Sequence, residues 1–313
     1  MTTATICSRR SLLKNASWVA AASLLGAAGL ARANRPAGTR LRAYAKGPYG
    51  LVHFQDTGPV KHKANKSART RPPLILLHQA PMSSRQFDSV YGLLAERGIR
   101  AIGIDTPGFG MSDPTPFVPM VADWASSVVA VLDHLGLRRV DVLGHHTGAL
   151  LATEVALQFP RRVRKLILNG PFPTTAEERA ALLQQLQVRE VDFVYAADGS
   201  HLQQSFLNRF AMYGAGGDPK LTTRMMVEKF QGFGPFWHGH NAAYRYDHAA
   251  TMLGITQPTL ILLNTGDQIY ARAQRARQIR ADFDYAEIEG GGVDIVDQKP
   301  AEWANAVVTW LSK

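Results

Sequence analysis

The chain has 313 residues, of which 46% are hydrophobic and 19% charged, and its formal net charge at pH 7 is +10. This length is enough for one α/β domain with an insertion, or for a large single core. The only cysteine is Cys7, so the rest of the chain has no thiol, which excludes disulfides, cysteine nucleophiles and thiolate metal sites there.

The amino-terminal segment has the pattern of an export signal. Arg9-Arg10 precede an uncharged stretch from Asn15 to Ala31, and Ala31-Arg32-Ala33 fits a small-x-small cleavage site. The segment resembles a twin-arginine signal peptide. A basic helix or an uncleaved anchor is the alternative, but the stretch is rich in Ala and Gly and is shorter than the roughly 20 apolar residues of a spanning helix. We therefore expect the twin-arginine (Tat) export machinery to export the chain, residues 1–33 to be removed, and the mature protein to be periplasmic or secreted without stable membrane insertion.

The segment from Lys61 to Arg71, KHKANKSARTR, carries much of the positive charge outside the signal. A nucleic-acid patch of this kind usually has interleaved aromatic residues, and this segment has none. We predict a solvated loop between two strands and no nucleic-acid partner.

Apolar patterning predicts a hairpin and then alternating strands and helices. Residues 41–56 have β-branched and aromatic residues around Gly47-Pro48-Tyr49-Gly50, which predicts the hairpin. The continuous apolar run 72–77 predicts a buried parallel strand. The later patterns predict helices over 84–97, 122–135 and 149–159 and strands over 100–104, 140–143 and 165–168.

The alternation stops near Pro173 and resumes after Asp247. Helical patterns over 176–187 and 202–210 predict an inserted helical cap in this interval. Beyond it the sequence predicts strands over 259–263 and 284–288 and a closing helix over 300–311. We therefore predict an α/β core over 34–172 and 248–313, with a mostly parallel sheet flanked by helices, and a cap over 173–247.

Three loops after predicted strands carry a family likeness. They are Leu76-Leu77-His78-Gln79-Ala80-Pro81, Asp105-Thr106-Pro107-Gly108-Phe109-Gly110-Met111-Ser112 and the turn Gly144-His145-His146-Thr147-Gly148. With Pro258 to Asp267 and Glu289 to Gly292, they resemble the oxyanion loop, the nucleophile elbow, the acid strand and the histidine loop of the α/β-hydrolase fold. Within that fold, the Pro-Gly-x-Gly-x-Ser motif and the predicted cap are most similar to those of epoxide hydrolases, haloalkane dehalogenases and small-ester hydrolases.

The chain departs from that family pattern at two of three catalytic positions. His146 stands at the nucleophile position, and Val293 stands where the resemblance implies the catalytic histidine. Only the acid, Asp267, is retained. A serine-type mechanism needs a hydroxyl or carboxylate with a base beside it, and neither is present at the expected places.

An imidazole on the elbow is longer than a serine side chain, and Val293 leaves the space of the usual imidazole. We therefore predict that His146 contacts Asp267 directly and acts as a general base or nucleophile. The resemblance implies an oxyanion hole made by the backbone N–H groups of Thr147 and of the loop around Gln79, whose side-chain amide is a further donor.

Other histidines near the predicted site have less specific roles. We expect His145 to form a pocket wall and His78 and Asp105 to hold their loops. The cap residues Trp237, His238 and His240 either line the substrate pocket or dock the cap. The sequence shows no recognisable metal-ligand spacing, and we predict neither a metal nor a cofactor.

The predicted function is hydrolysis of a small, largely uncharged molecule in a pocket beneath the cap. A lyase, an isomerase or a cofactor-independent enzyme that abstracts a proton is the second hypothesis, since a base and an oxyanion hole serve those reactions too. The third hypothesis is a non-catalytic ligand-binding protein.

Overall fold

The computed structural model describes residues 40–60, 71–214 and 216–313. The predicted export signal and most of the basic segment lie outside these residues and stay predictions. Within the described ranges, no helix has both the length and the apolar character needed to cross a bilayer.

An eight-stranded, mostly parallel sheet forms the centre of the described structure, in the strand order β1-β2-β4-β3-β5-β6-β7-β8. The pairs β1–β2 and β2–β4 are antiparallel and the remaining pairs are parallel. The strands are β1 (Leu41–Gly47), β2 (Gly50–Asp56), β3 (Leu74–Leu77), β4 (Ala101–Ile104), β5 (Val140–His145), β6 (Val163–Asn169), β7 (Thr259–Asn264) and β8 (Asp284–Ile288).

Helices connect the strands and cover the sheet. They are α1 (Tyr91–Glu96), α2 (Val121–His134), α3 (Thr147–Gln158), α4 (Ala176–Leu186), α5 (Ser200–Ala211), α6 (Pro219–Lys229), α7 (His238–Arg245), α8 (His248–Met252), α9 (Tyr270–Ala273), α10 (Arg275–Ile279), α11 (Ile295–Gln298) and α12 (Pro300–Leu311). The described residues between β6 and β7 contain helices and irregular segments but no strand, and the assignment of this segment as a cap stays a prediction.

The apolar run of β3 shows why the sheet is covered on both faces. Leu74 and Leu76 belong to one buried cluster, while Ile75 and Leu77 belong to the other. Successive side chains of a strand point to opposite faces, so the two clusters lie on opposite sides of the sheet. The predicted α/β class, with a mostly parallel sheet between helices, is confirmed.

The predicted helix over 84–97 is divided in the structure. A 3₁₀ turn spans Ser84–Phe87, and α1 begins only at Tyr91. The Ser84 N–H donates to the carboxylate of Asp105, 2.7 Å away, and this contact with a distant loop holds the turn apart from the helix. The helices α6, α7 and α8 have no counterpart among the predicted elements.

His78 and Asp105 hold the loops after β3 and β4, as expected. His78 Nδ1 lies 2.8 Å from the Gln79 carbonyl, and its Nε2 accepts the Thr106 N–H at 2.9 Å. Asp105 also accepts the N–H of Met111 at 2.9 Å. Both side chains are buried and engaged in these contacts, which leaves neither of them free for substrate.

His248 fixes the segment that follows β6. The Phe172 N–H donates to its Nδ1 at 3.1 Å, and its Nε2 lies 3.0 Å from the Thr153 hydroxyl of α3. Burial lowers the pKa of His248 to about 3. The side chain is therefore neutral in the folded protein, with one nitrogen accepting and the other donating.

Acid should destabilise the fold through this histidine. In the unfolded chain His248 becomes protonated below about pH 6.5. In the folded protein it becomes protonated only near pH 3. Stability from this group is therefore lost as the pH falls through that window, by about 2 kcal/mol at pH 5. Urea unfolding at pH 7.5 and pH 5 should show a smaller acid loss for His248→Gln than for the wild type. Equal losses in the two proteins would contradict the assignment.

Candidate active site

The turn from β5 into α3 has the geometry of an elbow. His146 has φ 49° and ψ −114°, and it is the only residue other than glycine with positive φ in the described ranges. A Cβ at Gly144 would lie 1.9 Å from the Gly148 carbonyl oxygen, and one at Gly148 would lie 2.1 Å from that of Leu77. The flanking glycines are therefore required by close backbone packing, and the strained middle position presents His146 above the sheet.

His146 contacts Asp267, as the sequence predicts. Its Nε2 lies 2.6 Å from Asp267 Oδ2. Burial alone would raise the pKa of Asp267, but the charge and hydrogen bond of His146 outweigh it and lower that pKa to about 2. The ionised carboxylate accepts the Nε2–H, so Nδ1 is the ring nitrogen that this contact does not use. The contact is present, and the catalytic roles of both residues stay predictions.

Gly170 provides the room for the His146 ring. It follows β6 with φ +64°, and a Cβ there would lie 2.6 Å from Cδ2 and 3.0 Å from Nε2 of His146. The space that we predict from Val293 is thus provided in part by Gly170, a residue that the family motifs do not mark. The sequence feature that marks this position is a glycine directly after a buried strand. Any side chain there would push the His146 ring away from Asp267.

The donors of Gln79 in the predicted oxyanion hole are engaged elsewhere. Thr147 is the first residue of α3, so its N–H has no acceptor within the helix. The backbone N–H of Gln79 instead donates to Gln86 Oε1 at 2.8 Å, and its side-chain amide donates to Asp294 Oδ1 at 2.7 Å. These contacts conflict with the predicted oxyanion role of Gln79. The role of Thr147 stays a prediction.

Asp294 links the core to the cap, a role that the sequence analysis missed. It is fully buried and accepts hydrogen bonds from Gln79, from the Arg209 guanidinium at 2.6 Å and from the Tyr213 hydroxyl. Burial and the Asp294 charge raise the pKa of Tyr213. Arg209 belongs to α5, so this buried ion pair fastens a cap helix over the site.

His145 lies beneath the contacting pair of His146 and Asp267, which we call the dyad. It is fully buried, and its ring centroid is 4.4 Å from that of His146. Its Nδ1 contacts the side-chain nitrogen of Gln86. Burial, followed by the nearby His146, lowers the pKa of His145 well below its ordinary value, so the ring is neutral at pH 7.

The protonation of His145 follows from its neighbour. Gln86 accepts the Gln79 N–H with its amide oxygen, so its NH₂ group must face His145. His145 Nδ1 is then an acceptor, and the single proton of the neutral ring is on Nε2.

This arrangement bears on metal binding. Ligand atoms of His145, His146 and Asp267 lie within 4.8 Å of one another, which brings two imidazoles and a carboxylate together. A metal-bound histidine donates its other N–H to a neighbour and offers a lone pair to the ion. His145 does the reverse, since it accepts at Nδ1 and carries its proton on Nε2, so this donor set does not fit a metal ion.

Trp237, His238 and His240 make their hydrogen bonds and stacking contacts with residues of the predicted cap and not with His146 or Asp267. His240 Nδ1 lies 2.7 Å from Glu190, and its ring stacks on Tyr244. Burial disfavours the charged form of His240, but the Glu190 carboxylate outweighs it and raises the pKa. Trp237 and His238 form an edge-to-face pair with centroids 4.4 Å apart. Within the described residues none of the three hydrogen-bonds or stacks with His146, which favours the docking alternative for them.

The space around the dyad is small in this structure. The opening beside Asp267, lined by Gly170, Ile269 and Tyr270 among others, has about 140 Å³ of empty volume. The Arg209–Asp294 pair is one of the contacts that join the segment between β6 and β7 to the core, and Arg224 with Asp297 is another.

Comparison with known proteins identifies the family. Residues 72–291 match the model of the alpha/beta hydrolase fold. The chain is 28% identical over 213 residues to a non-heme haloperoxidase of Rhodococcus erythropolis, which covers 65% of this chain and 78% of that protein. It is 24% identical over 266 residues to a proline iminopeptidase of Lactobacillus helveticus, covering 78% of this chain and 90% of the relative.

A solved structure shows the same fold. An esterase from Exiguobacterium antarcticum superposes with a TM-score of 0.68 at 20% identity, covering 87% of this chain and all of the esterase. The elbow, the acid strand and strands β3 to β8 lie in the part of the chain that the family model covers. The chain belongs to the alpha/beta hydrolase fold family and has relatives that are hydrolases.

Proposed function

We propose that the protein hydrolyses a small, largely uncharged substrate with His146 as its central catalytic residue and Asp267 as the partner of His146. The observation that carries the proposal is the 2.6 Å contact between His146 Nε2 and Asp267 Oδ2. It fixes the imidazole, and in the neutral ring that a general base requires, Nε2–H points to the carboxylate and Nδ1 carries the lone pair. In the usual triad a carboxylate orients a histidine in the same way, but that histidine comes from a separate loop.

The proposal requires the other ring nitrogen to lie near the family's reaction centre. Nδ1 is two bonds from Cβ and a serine oxygen is one bond from it, which supports a similar reach from the elbow. From there it removes a proton from a water that attacks the substrate carbonyl, or attacks the carbonyl itself. The Thr147 N–H and the amino-terminal end of α3 stabilise the oxygen that becomes negative.

The charges near the dyad favour an uncharged substrate. Asp267 is paired with His146, and Asp294 is paired with Arg209 and Tyr213. Both aspartates are buried, so an ionic substrate would have to displace a buried partner. Breaking a buried pair by removing one partner costs about 3–5 kcal/mol. A neutral ester has no such penalty.

Hydrolysis in ¹⁸O-labelled water tests the proposal. We expect the mature chain to hydrolyse p-nitrophenyl acetate or another small neutral ester and to place one solvent oxygen in the acid. The control is the same protein with Asp267→Asn, which should be nearly inactive. Turnover of a panel of small substrates without solvent oxygen in the product would favour the lyase or isomerase hypothesis. Binding without turnover would favour the ligand-binding protein.

We also propose that the enzyme works after export, on the evidence of Arg9-Arg10 and Ala31-Arg32-Ala33. Replacing both Arg9 and Arg10 by lysine should leave uncleaved precursor in the cytoplasm, as seen by fractionation and immunoblotting. Normal export of that variant would contradict the twin-arginine assignment.

A further inference from the structure

A buried hydrogen-bond donor next to the dyad has no acceptor. His145 is fully buried, and its Nε2 has no partner among the described residues. An unpaired buried polar group costs about 1–3 kcal/mol, so a native protein that keeps one usually has a use for it. The group is part of neither the proposed base nor the ion pair with the cap.

The direction of the proton makes this group a donor. Gln79 directs the Gln86 oxygen by donating its backbone N–H at 2.8 Å, and the Gln86 NH₂ then faces His145 Nδ1. The proton of the neutral ring is therefore held on Nε2. The hydrogen bond from Gln79 to Gln86 and the hydrogen bond from Gln86 to His145 thus determine the tautomer of His145.

The donor lies near a predicted oxyanion site in which one N–H group is occupied. The backbone N–H of Gln79, in the predicted oxyanion loop, is engaged by Gln86. A ring nitrogen of His145, one of His146 and a carboxylate oxygen of Asp267 lie within 4.8 Å of one another. His145 therefore lies directly beside the proposed base.

We propose that His145 is a second catalytic residue, whose Nε2–H donates a hydrogen bond to the substrate oxygen that becomes negative while His146 acts as base. The inference rests on the proposed function and adds the identity of the missing donor. Gln86 is then a positioning residue, since it acts by holding the His145 tautomer. A neutral imidazole is suited to this role because its N–H stabilises developing charge without bringing a cation into the buried site.

Two substitutions of His145 separate a donor from a packing residue. Gln places an amide N–H near the position of the imidazole Nε2–H, whereas Leu fills similar space without a donor. With p-nitrophenyl acetate, His145→Leu should lower kcat by about 10²- to 10³-fold with little change in KM, the loss typical of one oxyanion donor. His145→Gln should stay within about tenfold of the wild type. Equal losses in both variants, at equal thermal stability, would overturn the proposal.

The tautomer is measured without turnover. In ¹H–¹⁵N spectra of the wild-type protein, assigned by the His145→Gln spectrum, His145 should show a protonated Nε2 and an unprotonated Nδ1. A proton on Nδ1 would overturn the inference whether or not any ester is hydrolysed. A third outcome is loss of activity in His146→Ala together with equal activity of the Leu and Gln variants at position 145. That result would support the proposed function and contradict the donor role of His145. Absence of wild-type hydrolysis would reject the proposed function together with the catalytic role of His145, and a protonated Nε2 in that case would retain only the tautomer.

Discussion

Replacing His146 by Ala should lower kcat/KM for a neutral ester at least about a hundredfold, the range expected for loss of a general base. Asp267→Asn should have an effect of similar size for a different reason. An asparagine amide can donate to His146 Nε2, which would move the ring proton to Nδ1 and remove the free lone pair that the 2.6 Å contact now preserves. Steady-state kinetics on both variants checks this.

The double variant and a surface control sharpen the result. Because the two residues act as a unit, His146→Ala combined with Asp267→Asn should be about as slow as the worse single variant. His134→Ala is the matched control, since His134 is an exposed histidine at the end of α2. Activity that survives His146→Ala would point to a site elsewhere beneath the cap or to the binding-protein hypothesis.

Restoring the ordinary triad should produce a serine nucleophile that the natural chain lacks. The loop after β8 lies against the loop that carries Asp267, since Asn264 donates to the carbonyls of Gly291 and Gly292 at 2.8 and 3.0 Å. Val293 is buried directly beyond this contact. We expect the double variant His146→Ser with Val293→His to bring serine, histidine and Asp267 together and to react stoichiometrically with a fluorophosphonate.

The wild type and both single variants are the controls for that labelling. The wild type should remain unlabelled, because Ser83, Ser84 and Ser112 of the neighbouring loops are at most 4% exposed. His146→Ser alone lacks the base at 293, and Val293→His alone lacks the hydroxyl. Mass spectrometry of the intact protein distinguishes the four cases. Labelling of the wild type at any serine would show that the nucleophile has migrated, and labelling of His146→Ser alone would show that another base serves the elbow.

The sequence predicts the fold well because the signal is local and repeated. Continuous apolar runs such as that of β3 suit only strands buried on both faces, and the intervening helices bury one side. The limits of β8 and α12 agree with the prediction at both ends. The helix predicted over 84–97 was wrong because Asp105, far along the chain, holds Ser84 in a separate turn.

The part of the candidate site that follows the family's loop arrangement was predictable from the sequence. The His146–Asp267 contact follows from a known loop arrangement and from the lengths of two side chains. The contact of the Gln79 N–H with Gln86, which competes with its predicted oxyanion role, is marked by no pattern in the sequence. The pairing of Asp294 with Arg209 joins residues on separate elements, so composition and periodicity carry no trace of it.

The glycine after β6 has a consequence for transferring this site to other hydrolases. Any β-carbon at position 170 would come within 2.6 Å of the His146 ring, a distance that real β-carbons do not show. A relative with a side chain at the equivalent place will therefore not accept an elbow histidine by a single exchange. Histidine and glycine have to be grafted together, and a designer who searches genomes for similar enzymes should require both positions in one chain.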